Sequence, residues 1–312
     1  MTDDHALFDR KLLRRRRARF AQELAQHDFL LAHVASEIAE RIGAVLREFP
    51  LALDLGAHFG LLGRTVAALP SVGHMIYADA TPELAALCPR PALVCEEELL
   101  PFRNATFNLV VSGLALHRVN DLPGALIQIA RALKPDGLFQ AALLGAGSLR
   151  ELRQALLEAE AEQEGGASPH IAPFGDVREY GALLQRAGFT LPVADSETLT
   201  VTYPSPRALM QELRAMGGGN VLQARRKAPL ARGTLVRAEA IYRMRHSAPD
   251  GKVRATFEIV YLSGWAKHES QQQPLRPGSA TARLADALHT EEHEAGDKAA
   301  FPRASAAPDK RR

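Results

Sequence analysis

The stretch Leu51-Ala52-Leu53-Asp54-Leu55-Gly56-Ala57-His58-Phe59-Gly60 decides how this chain is read. Apart from Asp54 its first five residues are apolar, as in a strand buried on both faces, and two glycines then mark a sharp turn into a helical pattern. Gly56 lets the chain turn at the carboxyl edge of a sheet, and Gly60 lets helix backbone approach a ligand with no Cβ in the way. A nucleotide-like cofactor suits such a turn. Asp79, 23 residues after Gly56, ends the next β-rich run, where a carboxylate can accept from both hydroxyls of a ribose. Glu96, five residues before Pro101, ends the third, where an acid can accept from an adenine amino group. The layout is that of S-adenosylmethionine rather than NAD, because the fingerprint GxGxxG is absent and no second nucleotide site follows. Each part also has a plainer reading: such turns are common in α/β sheets, and Asp79 can open a helix as an N-cap-like acid.

Outward from the turn, β-rich runs at 51–55, 74–78, 92–95, 107–112 and 138–144 alternate with helical runs at 60–69, from Pro82, and at 122–133. Such alternation predicts βαβ units, that is, an α/β fold with a parallel sheet and helices on both faces. Lys134-Pro135-Asp136-Gly137 reads as the turn between the last helix and strand. Beyond lie a helix at 149–162, a broken loop at 164–174, a helix at 177–187 closed by Gly188, and a strand within 193–201. Helices at 206–216 and 235–244 and a strand at 256–262 follow, and Gly217-Gly218-Gly219-Asn220 reads as flexible. Small and charged residues from 285 predict a disordered tail. The organisation is a basic helical segment at 1–49, a cofactor-binding core at 50–147, the C-terminal part of the core with a helical insertion and last strands at 148–284, and the tail at 285–312.

Of 312 residues, 46% are hydrophobic and 24% charged, a globular composition, and the net charge of +2 creates no global field for nucleic acid. No apolar run is long enough to span a bilayer and no h-region follows Thr2-Asp3-Asp4, so a cytoplasmic location is expected, with at most peripheral contact with the inner membrane. Cys88 and Cys95 form no CxxC and have no His at metal spacing, so two reduced thiols and no metal site are expected. One local exception is basic: Arg10, Lys11, Arg14, Arg15, Arg16, Arg17 and Arg19 occur with no acid among them. That is either a solvated helix face or a docking surface for an acidic partner or anionic lipid. Leu30, Val34, Ile38, Ile42 and Val45 then mark an amphipathic helix ended by Pro50.

Several stretches resemble one family. They are Phe8-Asp9-Arg10 through Gly56, Glu97-Glu98-Leu99-Leu100-Pro101-Phe102, and Leu116-His117-Arg118-Val119-Asn120-Asp121-Leu122-Pro123. To these add Glu164-Gly165-Gly166, Ser168-Pro169-His170-Ile171, Ala187-Gly188-Phe189, Gly264-Trp265, His268-Glu269-Ser270 and Gly278-Ser279-Ala280-Thr281. They are similar to the mitochondrial complex I assembly factor 5 family, arginine hydroxylases, and its bacterial relatives. The resemblance implies a class I S-adenosylmethionine-methyltransferase fold, Rossmann-like, with a largely parallel seven-stranded sheet. It also implies S-adenosylmethionine as cofactor, held around Asp54, Gly56, His58, Gly60, Asp79 and Glu96. The implied partner is the quinone-site iron–sulfur subunit of NADH dehydrogenase, hydroxylated on an arginine. Methyl-transfer chemistry does not explain oxygen insertion into a C–H bond. Nor is there a clear 2-His-1-carboxylate set, since His117, His170 and His268-Glu269 lie on separate elements.

Departures from the family pattern matter as much. His58 stands where the family's cofactor loop has glycine, and Phe59 where a small or polar residue is usual, so bulk points at the pocket; a clash of about 1 to 3 kcal/mol would weaken binding about 5- to 150-fold. Arg118 stands where the family has Trp. His117, just past the fourth strand, can orient or deprotonate a nucleophile, or simply hydrogen-bond at the sheet edge. Trp265 reads as packing, and the Ser168-Pro169-His170 loop as part of a site. Three functions follow: modification of a protein side chain, O-methylation of a small molecule or carrier-bound carboxylate, and a non-catalytic assembly chaperone with a degenerate site.

Overall fold

A strand that is apolar on both faces has to lie inside a sheet, and β1 (Phe49–Leu55) is the third strand of seven in the computed structural model. The order is β3 (Ala92–Val94), β2 (Val72–Asp79), β1, β4 (Phe107–Gly113), β5 (Leu133–Leu144), β7 (Val253–Trp265) and β6 (Thr190–Tyr203). The first five run parallel; β7 lies antiparallel between β5 and β6. The structure describes residues 6–272 and 283–290. Two compact units are present, Met1–Glu269 and Ser270–Arg312. In the second the described element is the helix α10 (Leu284–Leu288), the tenth in chain order.

Helices cover both faces, as the alternation predicts. The helices are α1 (Arg10–Phe20), α2 (Phe29–Gly43), α3 (Leu61–Ala67), α4 (Pro82–Ala85), α5 (Leu122–Ala132), α6 (Arg150–Glu164), α7 (Val177–Arg186), α8 (Pro206–Ala215) and α9 (Arg232–His246). Period-two alternation sorts each central strand between two cores. Ala52, Leu109, Leu138 and Ala142 pack with α2, α3, α6 and α9, while Leu53, Val110, Phe139 and Ala141 pack with α5 and α7. Trp265 packs at the end of β7, opposite Leu138 and Thr190. Cys88 and Cys95 are free and buried, and burial pushes both thiols up to about 12.

Four expectations change. Lys134-Pro135-Asp136-Gly137 is not a separate turn: β5 starts at Leu133 and runs through it, with Asp136 at φ 62 and a register shift against β4, an irregularity that tolerates proline. Gly217-Gly218-Gly219-Asn220 is fastened rather than flexible. The Gly218 N–H donates to the Leu213 carbonyl at 2.7 Å, Arg118 Nη1 to the Gly217 carbonyl at 3.0 Å, and Arg16 Nη1 to the Asn220 carbonyl at 2.6 Å. The basic face of α1 is not wholly solvated, as the site shows. The expected tail begins in α10; residues 291–312 and the Gly278-Ser279-Ala280-Thr281 motif lie outside the described residues. Among those described, no helix is long and apolar enough to cross a membrane.

Candidate functional site

The chain leaves β1 toward one face of the sheet, into α3, and leaves β4 toward the other, into α5, so a crevice opens beyond their carboxyl ends. The sequence-predicted residues gather on that rim. Asp54 and the turn from Gly56 to Gly60 end β1, Asp79 closes β2, Glu96 follows β3, and His117 lies in a 3₁₀ turn, Leu116–Arg118, after β4. Left-handed backbone at two facing non-glycine positions, His58 (φ 54) and Leu114 (φ 52), marks local strain of the kind found at binding sites.

Asp79 is 0% exposed, and all its hydrogen bonds are made within the chain. One carboxylate oxygen accepts the Thr81 N–H at 2.7 Å; the other accepts the His58 N–H at 2.9 Å and Arg17 Nη2 at 3.0 Å. Arg17 reaches it from α1 and is itself 7% exposed. The same Nη2 donates to His58 Nδ1 at 2.8 Å, and His58 Nε2 lies 2.9 Å from the Gly113 carbonyl. A guanidinium only donates and a carbonyl only accepts, so the proton of this imidazole is on Nε2 and the ring is neutral. Burial, with Arg17 beside it, holds its pKa well below the usual value. Further along, Arg10 Nη2 donates to Glu96 at 2.8 Å and also to Glu97, and Arg14 pairs with Glu96.

Sequence reasoning missed three of these groups. Glu97 at 1% exposure, not Glu96, is the buried acid beyond β3, and Arg10 and Arg17 hold this rim. A signal existed: positions 10, 14 and 17 share one helix face and stand opposite a sequence with acids at 79 and 96–98. Gly60 needs correcting too. At φ 81 its added Cβ would stand 2.9 Å from Pro89 Cδ and 3.3 Å from the Tyr77 ring, so this glycine admits side chains rather than a ligand. Gly56, at φ 71, would place a Cβ 2.2 Å from that of Ala115.

The donor set nonetheless suits an adenosyl ligand. Three successive strand ends carry acids, and Asp54, which accepts the Gly63 N–H at 2.8 Å through Oδ2, leaves its buried Oδ1 without a partner. Burial, helped by the charge of Asp79, pushes Asp54 up to about 7. In this conformation the α1 arginines hold the acids that such a ligand would use.

Beside the groove lies a chamber of about 110 Å³ walled by Leu31, Leu114 and Phe174, with His58, His117 and Arg118 on it. His117 is 6% exposed, lies edge-on to Phe174 with centroids 5.4 Å apart, and has no partner for either ring nitrogen. Burial first, then Arg118, keep its pKa well below the usual value, so it is a neutral imidazole with both nitrogens free. Such a group can exchange a proton with a bound molecule. Arg118 donates to the Gly217 carbonyl and pairs with no acid among the described residues. Burial and the charges of Arg17 and Arg10 lower it to about 10, still a cation at neutral pH. His170 lines the chamber and is fixed by Glu160, whose Oε2 accepts from its Nε2 at 2.9 Å and from the Ser168 N–H at 2.6 Å.

Residues 53–141 match the family model described as a methyltransferase domain. Over 287 residues the chain is 42% identical to "Arginine-hydroxylase NDUFAF5, mitochondrial" of Homo sapiens, covering 90% of this chain and 83% of that protein. It is 33% identical over 278 residues to a malonyl-[acyl-carrier protein] O-methyltransferase of Halorhodospira halophila, covering 86% of this chain and 92% of that one. Among solved structures the YcgJ protein of Bacillus subtilis superposes with a TM-score of 0.54 over 76% of this chain and 99% of its own, at 16% identity, a likeness of fold alone. The seven-stranded, mostly parallel sheet with flanking helices is the class I methyltransferase fold, as the sequence implied.

Proposed function

We propose a function from one premise: the chain belongs to the arginine-hydroxylase NDUFAF5 family of methyltransferase-domain proteins. S-adenosylmethionine is the cofactor of the fold class. The reading that agrees best with the premise is modification of a protein side chain, an arginine of the quinone-site iron–sulfur subunit, during assembly of respiratory NADH dehydrogenase. What supports it is the extent of the identity, 42% over 90% of the chain, well beyond the shared core at 53–141.

Bound S-adenosylmethionine would supply an electrophilic methyl group on a sulfonium. The chain's own residues do the holding. Asp79 would take the ribose hydroxyls once Arg17 has withdrawn and Glu96 with Glu97 the adenine amino group, while the buried Asp54 would brace the cofactor turn from behind through the Gly63 N–H. Gly56 keeps the turn tight, while His58 lies along the chamber wall. His117 accepts or hands over a proton at either ring nitrogen, and the apolar walls keep water from it.

A second reading has its own observation. Arg118, beside His117, is a cation that pairs with no carboxylate among the described residues, and Asp28 is the one acid among the residues lining the chamber. That field favours an anion over a guanidinium, and so favours methylation of a carboxylate.

Insertion of oxygen into a C–H bond needs an oxidant, which a sulfonium is not, so the test has to read the product. The intact mass of the iron–sulfur subunit is compared in cells with and without this gene. Either change on the subunit supports the primary reading: a gain of about 16 Da marks an added oxygen and about 14 Da a methyl group. Methyl ester on an incubated carrier protein would favour the second reading. An unchanged subunit, together with no calorimetric heat from millimolar S-adenosylmethionine, would leave an assembly factor that only binds.

A further inference from the structure

Next to the chamber, and sharing His170, Gly219 and Asn220 with it, opens a second cavity of about 790 Å³. Arg16, Arg19, Arg214, Arg225, Arg226 and Lys227 line it, with no acid among the lining residues. Some of this charge is met from behind. Asp9 takes Arg225 at 3.2 Å, Glu164 with Glu160 takes Arg226, and Arg16 spends a donor on the Asn220 carbonyl. Arg19, Arg214 and Lys227 pair with no acid among the described residues. Burial and the nearby charges of Arg225 and Arg214 lower the pKa of Arg16, a sign of how closely the cations crowd. Like charges brought together around a concavity destabilise the fold unless something anionic enters.

The walls are fixed in advance. Gly217 turns at φ 72 after α8, Asn220 Nδ2 donates to the Pro169 carbonyl at 2.8 Å, and Leu222 bridges antiparallel to Phe8. Shape then chooses among anions. A bilayer surface is flat and cannot enter a cavity, and one phosphate would leave most of about 790 Å³ empty. Phe20, Pro229 and Leu230 add apolar lining of the kind that holds peptide between its charged side chains.

We propose that this cavity is the docking site for an acidic segment of the protein partner, with carboxylates paired to Arg19, Arg214 and Lys227 and the neighbouring residues led past His170 and Asn220 toward His117. The assignment rests on the reading that the partner is a protein. The inner chamber and the basic mouth then form one path, the mouth supplying affinity and orientation and the chamber admitting a single side chain.

The probe is fluorescein-labelled hexaglutamate, followed by anisotropy with the full chain. Wild type should bind it, less tightly as salt rises. The combined Arg19→Ala, Arg214→Ala, Lys227→Ala variant should bind roughly tenfold more weakly or worse while unfolding at or above the wild-type temperature, since none of the three pairs with an acid among the described residues and the crowding of like charge is relieved. Arg237→Ala, which breaks an exposed pair with Glu162 in which neither residue lines the cavity, should bind like wild type. Equal binding by the triple variant would overturn the proposal. So would displacement of the peptide by submillimolar inorganic phosphate, which would mean a small-anion site, or binding to phosphatidylglycerol vesicles without binding to the peptide. Calorimetry with S-adenosylhomocysteine runs alongside on both proteins. Peptide binding without adenosyl binding sinks the enzyme reading and keeps the docking site; the reverse result does the opposite.

Discussion

At Asp54 a carboxylate is sealed behind the Gly56 turn with one oxygen on the Gly63 N–H and the other unpartnered, and burial raises its pKa from 3.8 to about 7. The folded chain therefore holds this proton more tightly than the unfolded one. Its contribution to stability is complete below about pH 3.8 and is lost as pH rises through about 7. Asp54→Asn cannot ionise, so it should be more stable than wild type by roughly 2 to 4 kcal/mol near pH 8, with the gap closing toward pH 4. His58 and His117, held well below 6.5, destabilise both proteins alike as pH falls below that value, so they cancel in the difference. Thermal unfolding across this range checks it, and a pH-independent gap would refute it. Arg17 and Asp79 make the second case. Arg17→Ala leaves a buried carboxylate without its cation, which should cost about 3 kcal/mol in the free protein. It also frees the oxygen a ribose needs, so S-adenosylhomocysteine should bind roughly tenfold more tightly and shift the unfolding temperature further than in wild type. Unchanged affinity in the variant would mean that the two do not compete.

Among the elements, α3 depends on how it begins. Gly60, its N-cap, is at φ 81 with Pro89 and Tyr77 where a Cβ would go, so Gly60→Ala should lose about 2 kcal/mol, against less than about 1 kcal/mol at Gly165, which is left-handed too but open around its missing Cβ. Urea midpoints of the two variants compare them directly; equal losses would place the cost in the backbone alone. The alternation from β1 to β5 was legible because each central strand is apolar on two faces and each helix on one. Helix α1 was not. Its inward face carries Arg10, Arg14 and Arg17, so hydrophobic periodicity scores it as exposed, and only its complement of acids at Asp79, Glu96 and Glu97 explains why that face is turned in. The bulged start of β5 hid for a similar reason. Pro135 and Gly137 carry turn chemistry that the neighbouring strand overrides by register shift. His58 was legible as bulk in the cofactor loop; its lock between Arg17 and Gly113 needed the third dimension.

Taken whole, the Met1–Glu269 unit sets α1 between two sites of opposite sign. One turn of that helix puts Arg17 on the buried carboxylate of Asp79, while Arg16 and Arg19 on either side of it line the basic cavity. An adenosyl ligand that takes Asp79 releases the Arg17 guanidinium without removing its charge. The freed cation then adds to the field over the cavity mouth, near the two arginines and the lysine, Arg19, Arg214 and Lys227, that pair with no acid among the described residues. Binding at the two sites should therefore be positively coupled. S-adenosylhomocysteine at saturation should tighten hexaglutamate binding by roughly 3- to 10-fold, and by linkage the peptide should tighten S-adenosylhomocysteine binding by the same factor. Arg17→Ala removes the group that is exchanged, so in that variant the factor should fall to about one while each ligand still binds. Titrating each ligand against the other in both proteins closes the thermodynamic square. A factor that survives in Arg17→Ala would mean the coupling travels by another route, and a factor below one in wild type would mean that α1 leaves the cavity when its arginine leaves Asp79.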